Sequence, residues 1–254
     1  MKRVLVGVFS LAMVLSWNHP AAGQASSNSL NDQLCAAAKK GDTAAVQQLL
    51  DKGANIEAKD IDGDTALIEA AAEGKTEVVK LLLDKGANIE AKDNAGGETA
   101  LMWAVNNSET EVERLLLAKG ANIETRDDSS ETVLIHAAAD DNTDVMKLLM
   151  AKGVNIEAKD KDGDTALTDA AAMGKTEVVK LLLEKGANIE ARENDGSTAL
   201  IEAAMRGRTE TVRLLLEKGA NIDVKDNNGD TALTIAVSKD KTDVANLLRE
   251  KGAH

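Results

Sequence analysis

The chain predicts an all-α repeat solenoid, seven helix-turn-helix units with β-turn/hairpin tips preceded by a signal peptide, and three observations predict it. The phrase Gly53-Ala54-Asn55-Ile56-Glu57 recurs, with small changes, from Gly86, Gly120, Gly153, Gly186 and Gly219, at steps of 33, 34, 33, 33 and 33 residues. A second phrase, Thr65-Ala66-Leu67, keeps the same beat at Thr99, Thr132, Thr165, Thr198 and Thr231, always 21 residues ahead of the next Gly-Ala-Asn-like phrase. The third observation is compositional: 43% hydrophobic residues, nearly all Ala, Leu, Ile and Val, with 1% aromatic residues, suit repeated thin layers rather than one thick core. Two phrases locked in one register mean a linear stack, because each unit is too small to enclose its own apolar face.

The first element is the leader. Lys2-Arg3, the apolar run Val4 to Leu15 and the small-residue exit Pro20-Ala21-Ala22-Gly23-Gln24-Ala25 are the parts of a secretory signal peptide, cleaved after Ala25 or after Gly23. The run falls short of the ~20 apolar residues that span a bilayer, so no stable membrane insertion is expected after cleavage. Residues 1–25 are read as the signal peptide, 26–31 as a linker and 32–254 as the repeat domain. Its units run roughly over 32–59, 60–92, 93–126, 127–159, 160–192, 193–225 and 226–254. Cleavage moves the net charge from −13 to −15. Cys35 is the only cysteine, which excludes an intramolecular disulfide, and without a nearby His it reads as a small buried residue.

Within a unit, Asp62-Gly63 makes a tight turn and Thr65 stands at a helix N-cap. Ala66 to Glu73 reads as a short helix closed by Gly74. Thr76 is expected to cap a second helix, whose Val78, Val79, Leu81, Leu82 and Leu83 form a broad apolar face before Gly86 ends it.

This unit resembles the ankyrin repeat, with its D-x-x-G-x-T-P-L-H-x-A-A-x-x-G pattern, a V-V-x-L-L-L run and a closing G-A-x-x-N. The resemblance runs from near residue 30 to the end, and together with the leader it points to an exported, bacterial ankyrin repeat domain-containing protein. Two departures recur. The family's Pro is Ala66, Ala100, Val133, Ala166, Ala199 or Ala232, and its His is Ile68, Met102, Ile135, Thr168, Ile201 or Thr234. Each lost Pro gives up about 0.4–1 kcal/mol of unfolded-state restriction, and each lost His removes a polar tie to the capping Thr. Gln48, Ala245 and Arg249 replace apolar residues on the outward faces of the first and last units, so the array is expected to be a complete seven-repeat solenoid.

The resemblance implies a partner-binding groove along the concave face, and the sequence varies there. The position of Glu69 is occupied in turn by Ala36, Glu69, Trp103, His136, Asp169, Glu202 and Ile235, whereas Lys75–Ala91 and Lys175–Ala191 differ only at Asp84 versus Glu184. Trp103, the only aromatic residue outside the leader, is the candidate anchor. His136 adds a titratable group, Asn106, Asn107 and Arg206 flank the mid-repeat turns, and Met173 and Met205 are adaptable apolar contacts. Glu69, Asp169 and Glu202 favour a basic partner. The third and fourth units are irregular, with the extra residue at Gly96-Gly97, Ser108 and Asp141 in place of the mid-repeat Gly, and Ser130 in place of the turn Gly.

Other chemistry is not expected. The net charge excludes a nucleic-acid partner, whose phosphates need a basic footprint. Asp160 to Asp164 opens like a calcium loop, but Gly163 is fourth rather than sixth and Ala171 takes the twelfth position, so no metal site is expected there. His136 has no nucleophile or phosphate loop with it, and an open groove offers no enclosed pocket to shift carboxylate pKa values. The expectation is therefore a monomeric, non-enzymatic adaptor without cofactor or catalytic residues, periplasmic or secreted, that binds a protein in its groove. The alternatives are a secreted effector acting on a host protein and an enzyme or metal-responsive protein.

Overall fold

The computed structural model describes residues 30–254, which form seven helix pairs; the leader reading lies outside these residues. The pairs are α1 (Leu30–Lys40) with α2 (Thr43–Asp51), α3 (Ala66–Ala72) with α4 (Thr76–Asp84), and α5 (Ala100–Asn106) with α6 (Thr110–Ala118). Then follow α7 (Val133–Ala139) with α8 (Thr143–Ala151), and α9 (Ala166–Met173) with α10 (Thr176–Glu184). The last are α11 (Ala199–Arg206) with α12 (Thr209–Glu217), and α13 (Ala232–Ser238) with α14 (Thr242–Glu250). Leu30 and Asn31, read as linker from sequence, belong to α1. Among the described residues the projecting tips hold only isolated antiparallel bridges, such as Lys59 with Thr65, and no helix is long and apolar enough to cross a membrane.

Each odd-numbered helix packs on the odd-numbered helix of the next pair, and the even-numbered helices do likewise behind them from α2 to α8 and from α10 to α14. Alanines at the inner-row contacts, Ala70, Ala104, Ala137, Ala170 and Ala203, are all fully buried, which lets the helices sit close. The continuous core is then completed by Val78, Leu82, Leu116, Leu149 and Leu182 from the outer row. Cys35 lies in this core with its Sγ near the carbonyls of Ala58 and Asp64, and burial pushes its thiol up to about 12, which keeps it protonated and unreactive.

The first helix of a pair is capped as its sequence implies: Thr65, Thr99, Thr132, Thr165 and Thr231 each accept from the backbone N–H three residues on. Where the family's His is replaced by Thr, the lost tie is restored: Thr168 and Thr234 bond back to the N–H of Thr165 and Thr231, completing a capping box. The second helix corrects the sequence reading. Thr76 is its first helical residue, and the N-cap is Lys75, whose side chain makes no capping bond. Only Asp42 and Asn142 cap second helices with their side chains.

The Asn-Ile-Glu phrase recurs because it builds a ladder. Asn88 Oδ1 accepts from the N–H of Glu90 in its own loop, and Glu90 Oε1 accepts from the N–H of Asn122 one repeat on, at 2.8 Å. The same reach joins Glu57 to Asn88, Glu124 to Asn155, Glu157 to Asn188 and Glu190 to Asn221. At the start of the stack Asn31 takes the donor's partner role, accepting from Asn55.

Candidate functional site: the concave carboxylate floor

In five of the six hairpins the first acid closes the turn, and in the sixth Asp195 accepts from the N–H of Ser197. Asp127 Oδ1, for example, accepts from the N–H groups of Ser129 and Glu131, both at 2.8 Å, and Asp160 does the same for Asp162 and Asp164. One carboxylate oxygen is thereby committed to the loop. In Asp93 and Asp127 the other faces the first helix, where Trp103 and His136 stand at the position of Glu69, Asp169 and Glu202 in their repeats. Stacking lines these columns up along the floor of the groove.

Trp103 is partly buried against the core, and its Nε1 donates to Asp93 Oδ2 at 2.8 Å. Asp93 Oδ1 meanwhile takes the N–H groups of Gly96, Gly97 and Glu98, so the extra residue of this repeat is absorbed into a carboxylate-centred loop. Burial pushes the Asp93 carboxyl up, but the four donors outweigh it and hold the group below the usual carboxylate range. Trp103 is therefore a strut of the third hairpin as well as a face of the groove.

His136 differs from the isolated surface residue its sequence context suggests. Its side chain is nine-tenths buried, with Asn106 Oδ1 at 2.9 Å from Nδ1, and with Asp127 Oδ2 and Glu131 Oε2 at 3.5 Å and 3.7 Å from Nε2. Burial opposes the imidazolium, yet the surrounding carboxylates outweigh it and raise the pKa above its ordinary value.

The acids expected to meet a partner directly are set deep. Glu69, Asp169 and Glu202 are only 7%, 5% and 3% exposed. Glu69 is bound by Lys39 of the preceding repeat at 2.9 Å, and Glu202 lies 3.9 Å from Arg206 on α11. The expectation that an open groove leaves carboxylate pKa values unshifted is corrected by this burial. Asp64 and Asp164 are pushed up to about 6 by desolvation and by neighbouring acids, and Asp169 is raised well above its ordinary value for the same reasons. Asn107 is exposed, with its amide on the Trp103 carbonyl, and Met173 and Met205 are partly exposed at the ends of α9 and α11.

A hollow of about 640 Å³ lies toward the other end of the groove, between the sixth and seventh repeats. Met205 and Ile235 form its apolar floor, Asp195, Asp226 and Asp230 its tip side, and Arg206, Lys239 and Lys241 the opposite side. Sequence reasoning named Met205 and Arg206 but not the hollow, and it missed Asp93, Asp127 and Glu131. The 33-residue register carried the missing signal, since it places each hairpin acid in the column facing the variable helix position.

Residues 34–127, 112–193 and 187–254 match the family model described as Ankyrin repeats (3 copies). The chain belongs to the ankyrin repeat family. It is similar to the crystal structure of the ankyrin repeat domain of Bcl-3, a member of the IkappaB protein family, at TM-score 0.73 and 31% identity, over 85% of this chain and 97% of that one. It is likewise similar to the human ASB11 ankyrin repeat domain, at TM-score 0.77 and 27% identity, over 87% of this chain and 98% of that one. No curated protein sequence matches the chain. Ankyrin repeats are protein–protein interaction scaffolds, and domains of this kind are generally non-enzymatic.

Proposed function

We propose that this ankyrin repeat chain is a non-enzymatic adaptor, exported from the cytoplasm, that acts as a monomer and binds a protein partner in its concave groove. The observation that carries the reading is the change of side chain from repeat to repeat at the groove position of the first helix, through Ala36, Glu69, Trp103, His136, Asp169, Glu202 and Ile235, beside a mixed-charge hollow around Met205 and Ile235 large enough to seat several side chains. The outer helices of the second and fifth repeats, by contrast, differ only at Asp84 versus Glu184. The buried acids set a negative field along the floor, so a partner segment carrying basic residues beside an apolar anchor fits there.

Capture from the extracytoplasmic fraction, with the wild type, Trp103→Ala, Met205→Glu and Lys80→Glu compared, tests this. Lys80 is exposed on the outer face of α4. The groove substitutions should lose a protein that wild type and Lys80→Glu both retain. Equal recovery by all four proteins, or a chain found only in the cytoplasm, would overturn the reading.

A further inference from the structure

The His136 imidazole is held by a chain of fixed contacts. Asn106 Nδ2 donates to Glu98 Oε1 at 2.8 Å, so the Asn106 amide oxygen faces the ring and takes the Nδ1 proton at 2.9 Å. The other ring nitrogen, Nε2, is then aimed between Asp127 and Glu131, and it is buried without a hydrogen-bond partner. Asp127 cannot swing away, because its Oδ1 is tied to the N–H groups of Ser129 and Glu131. Three donor atoms from the three side chains lie within 4.8 Å of one another.

A ring lone pair facing two carboxylates is repulsive unless a cation lies between them. A proton on Nε2 satisfies this arrangement poorly, since the nearer oxygen is 3.5 Å away, beyond the ~2.7–3.2 Å of a hydrogen bond, and the second carboxylate is left over. A tetrahedral ion with bonds of about 2.0–2.1 Å sets its ligands about 3.3–3.4 Å apart. The observed separations of 3.5 Å and 3.7 Å exceed that by a few tenths of an ångström, within the play of a Glu side chain.

We propose that Asp127, Glu131 and His136 form a binding site for a divalent transition-metal ion, with zinc the best match. An imidazole with two carboxylates suits such an ion, whereas calcium calls for six to eight oxygen ligands. Asn106 is the outer partner that fixes the ring tautomer, and the loop N–H groups do the same for Asp127. The ion joins the fourth hairpin to α7 and, through Asn106, to α5, across the two irregular repeats. Three protein donors leave a fourth position open toward the groove, for water or for a donor atom of the bound partner. The site is independent of the adaptor reading, since it needs only residues of this chain.

The chelator-stripped protein is titrated with Zn²⁺ by calorimetry and with Co²⁺ by visible absorption. The expected result is one tight equivalent per chain, with the intense Co²⁺ band of a tetrahedral site. His136→Gln and Asp127→Asn should weaken that equivalent at least ~10-fold, and Asn106→Ala by about 10–100-fold. Glu202→Gln, in the carboxylate-only cluster with Glu193 and Asp195, should leave it unchanged. Wild-type affinity in His136→Gln, only weak multi-site binding, or no binding at millimolar metal would each overturn the proposal. Helical circular dichroism checks the variants. Should a variant fail to fold, imidazole ¹⁵N spectra of the wild type decide: zinc must shift Nε2 of His136 while Nδ1 stays protonated, and an unmoved Nε2 signal refutes the site.

Discussion

Glu113 offers the sharpest test of the energetics of this stack. On the second helices of the other repeats its position is occupied by Val46, Val79, Met146, Val179, Val212 or Ala245, yet α6 buries a carboxylate there at 1% exposure. Asn142 answers it: its Oδ1 caps α8 through the Val145 N–H while its Nδ2 donates to Glu113 Oε1 at 2.7 Å. Burial nevertheless dominates and pushes the Glu113 carboxyl from 4.5 up to about 7, against the lowering effects of Asn142 and Arg114, with Glu109 and Asp144 adding to the rise. The sign follows from proton binding. Between the unfolded and folded values the native state holds more protons than the unfolded chain, so stability falls as pH rises from 4.5 to about 7 and the loss is complete above that. A shift of that size corresponds to about 3 kcal/mol. Glu113→Gln keeps an acceptor for Asn142 and removes the charge. It should match wild type near pH 4.5 and exceed it by up to about 3 kcal/mol at pH 8, a rise of roughly 6–12 °C in Tm for a domain of this size. The assay is thermal and urea unfolding of both proteins from pH 4.5 to 8.5. Other raised acids, such as Asp64, titrate in both proteins and cancel in the difference. A difference that is absent at pH 8, or that does not vary with pH, would refute the charge-burial argument.

Trp103→Phe retains the ring packing but orphans Asp93 Oδ2, so it should destabilise the domain by about 1–2 kcal/mol and increase amide exchange at Gly96 and Gly97. Unchanged exchange there would separate the indole from the loop. Ser108 and Asp141 hold the left-handed φ of 58° and 64° that Gly74 adopts in its repeat, so Ser108→Gly and Asp141→Gly should each stabilise by about 0.5–1 kcal/mol in chemical denaturation. Glu90 links two repeats through Asn122 and Thr125, and Glu90→Ala should cost about 1 kcal/mol, with amide protection lost at Asn122 before it is lost elsewhere. Uniform exchange across the loops would show that this rung adds nothing to the coupling between repeats.

The helices were legible because their signals are local. A Thr directly before an apolar run and a left-handed Gly near its end are readable within one repeat, the 33-residue beat repeats them, and the positions of α3 to α14 follow. The misreading of Thr76 came from a residue type that suits both cap and first-turn positions, where only backbone geometry decides. The groove was legible as a set of columns, since the register names Trp103, His136, Asp169 and Glu202 as equivalents. What those side chains touch was not.

Contacts across the stack explain the difference. Asn106 meets His136 from 30 residues away, Asn142 meets Glu113 from 29, and Lys39 meets Glu69 from 30. No periodicity signals which of two equivalent positions will carry a matching donor. The amino-acid order by itself determined the repeat, its helices and its axis of stacking, because those depend on apolar spacing and turn chemistry within a single unit. The tertiary structure alone decided which acids are submerged, which are answered by a donor and which are left facing an imidazole, because desolvation and short-range polar geometry exist only once neighbouring units close over the same space.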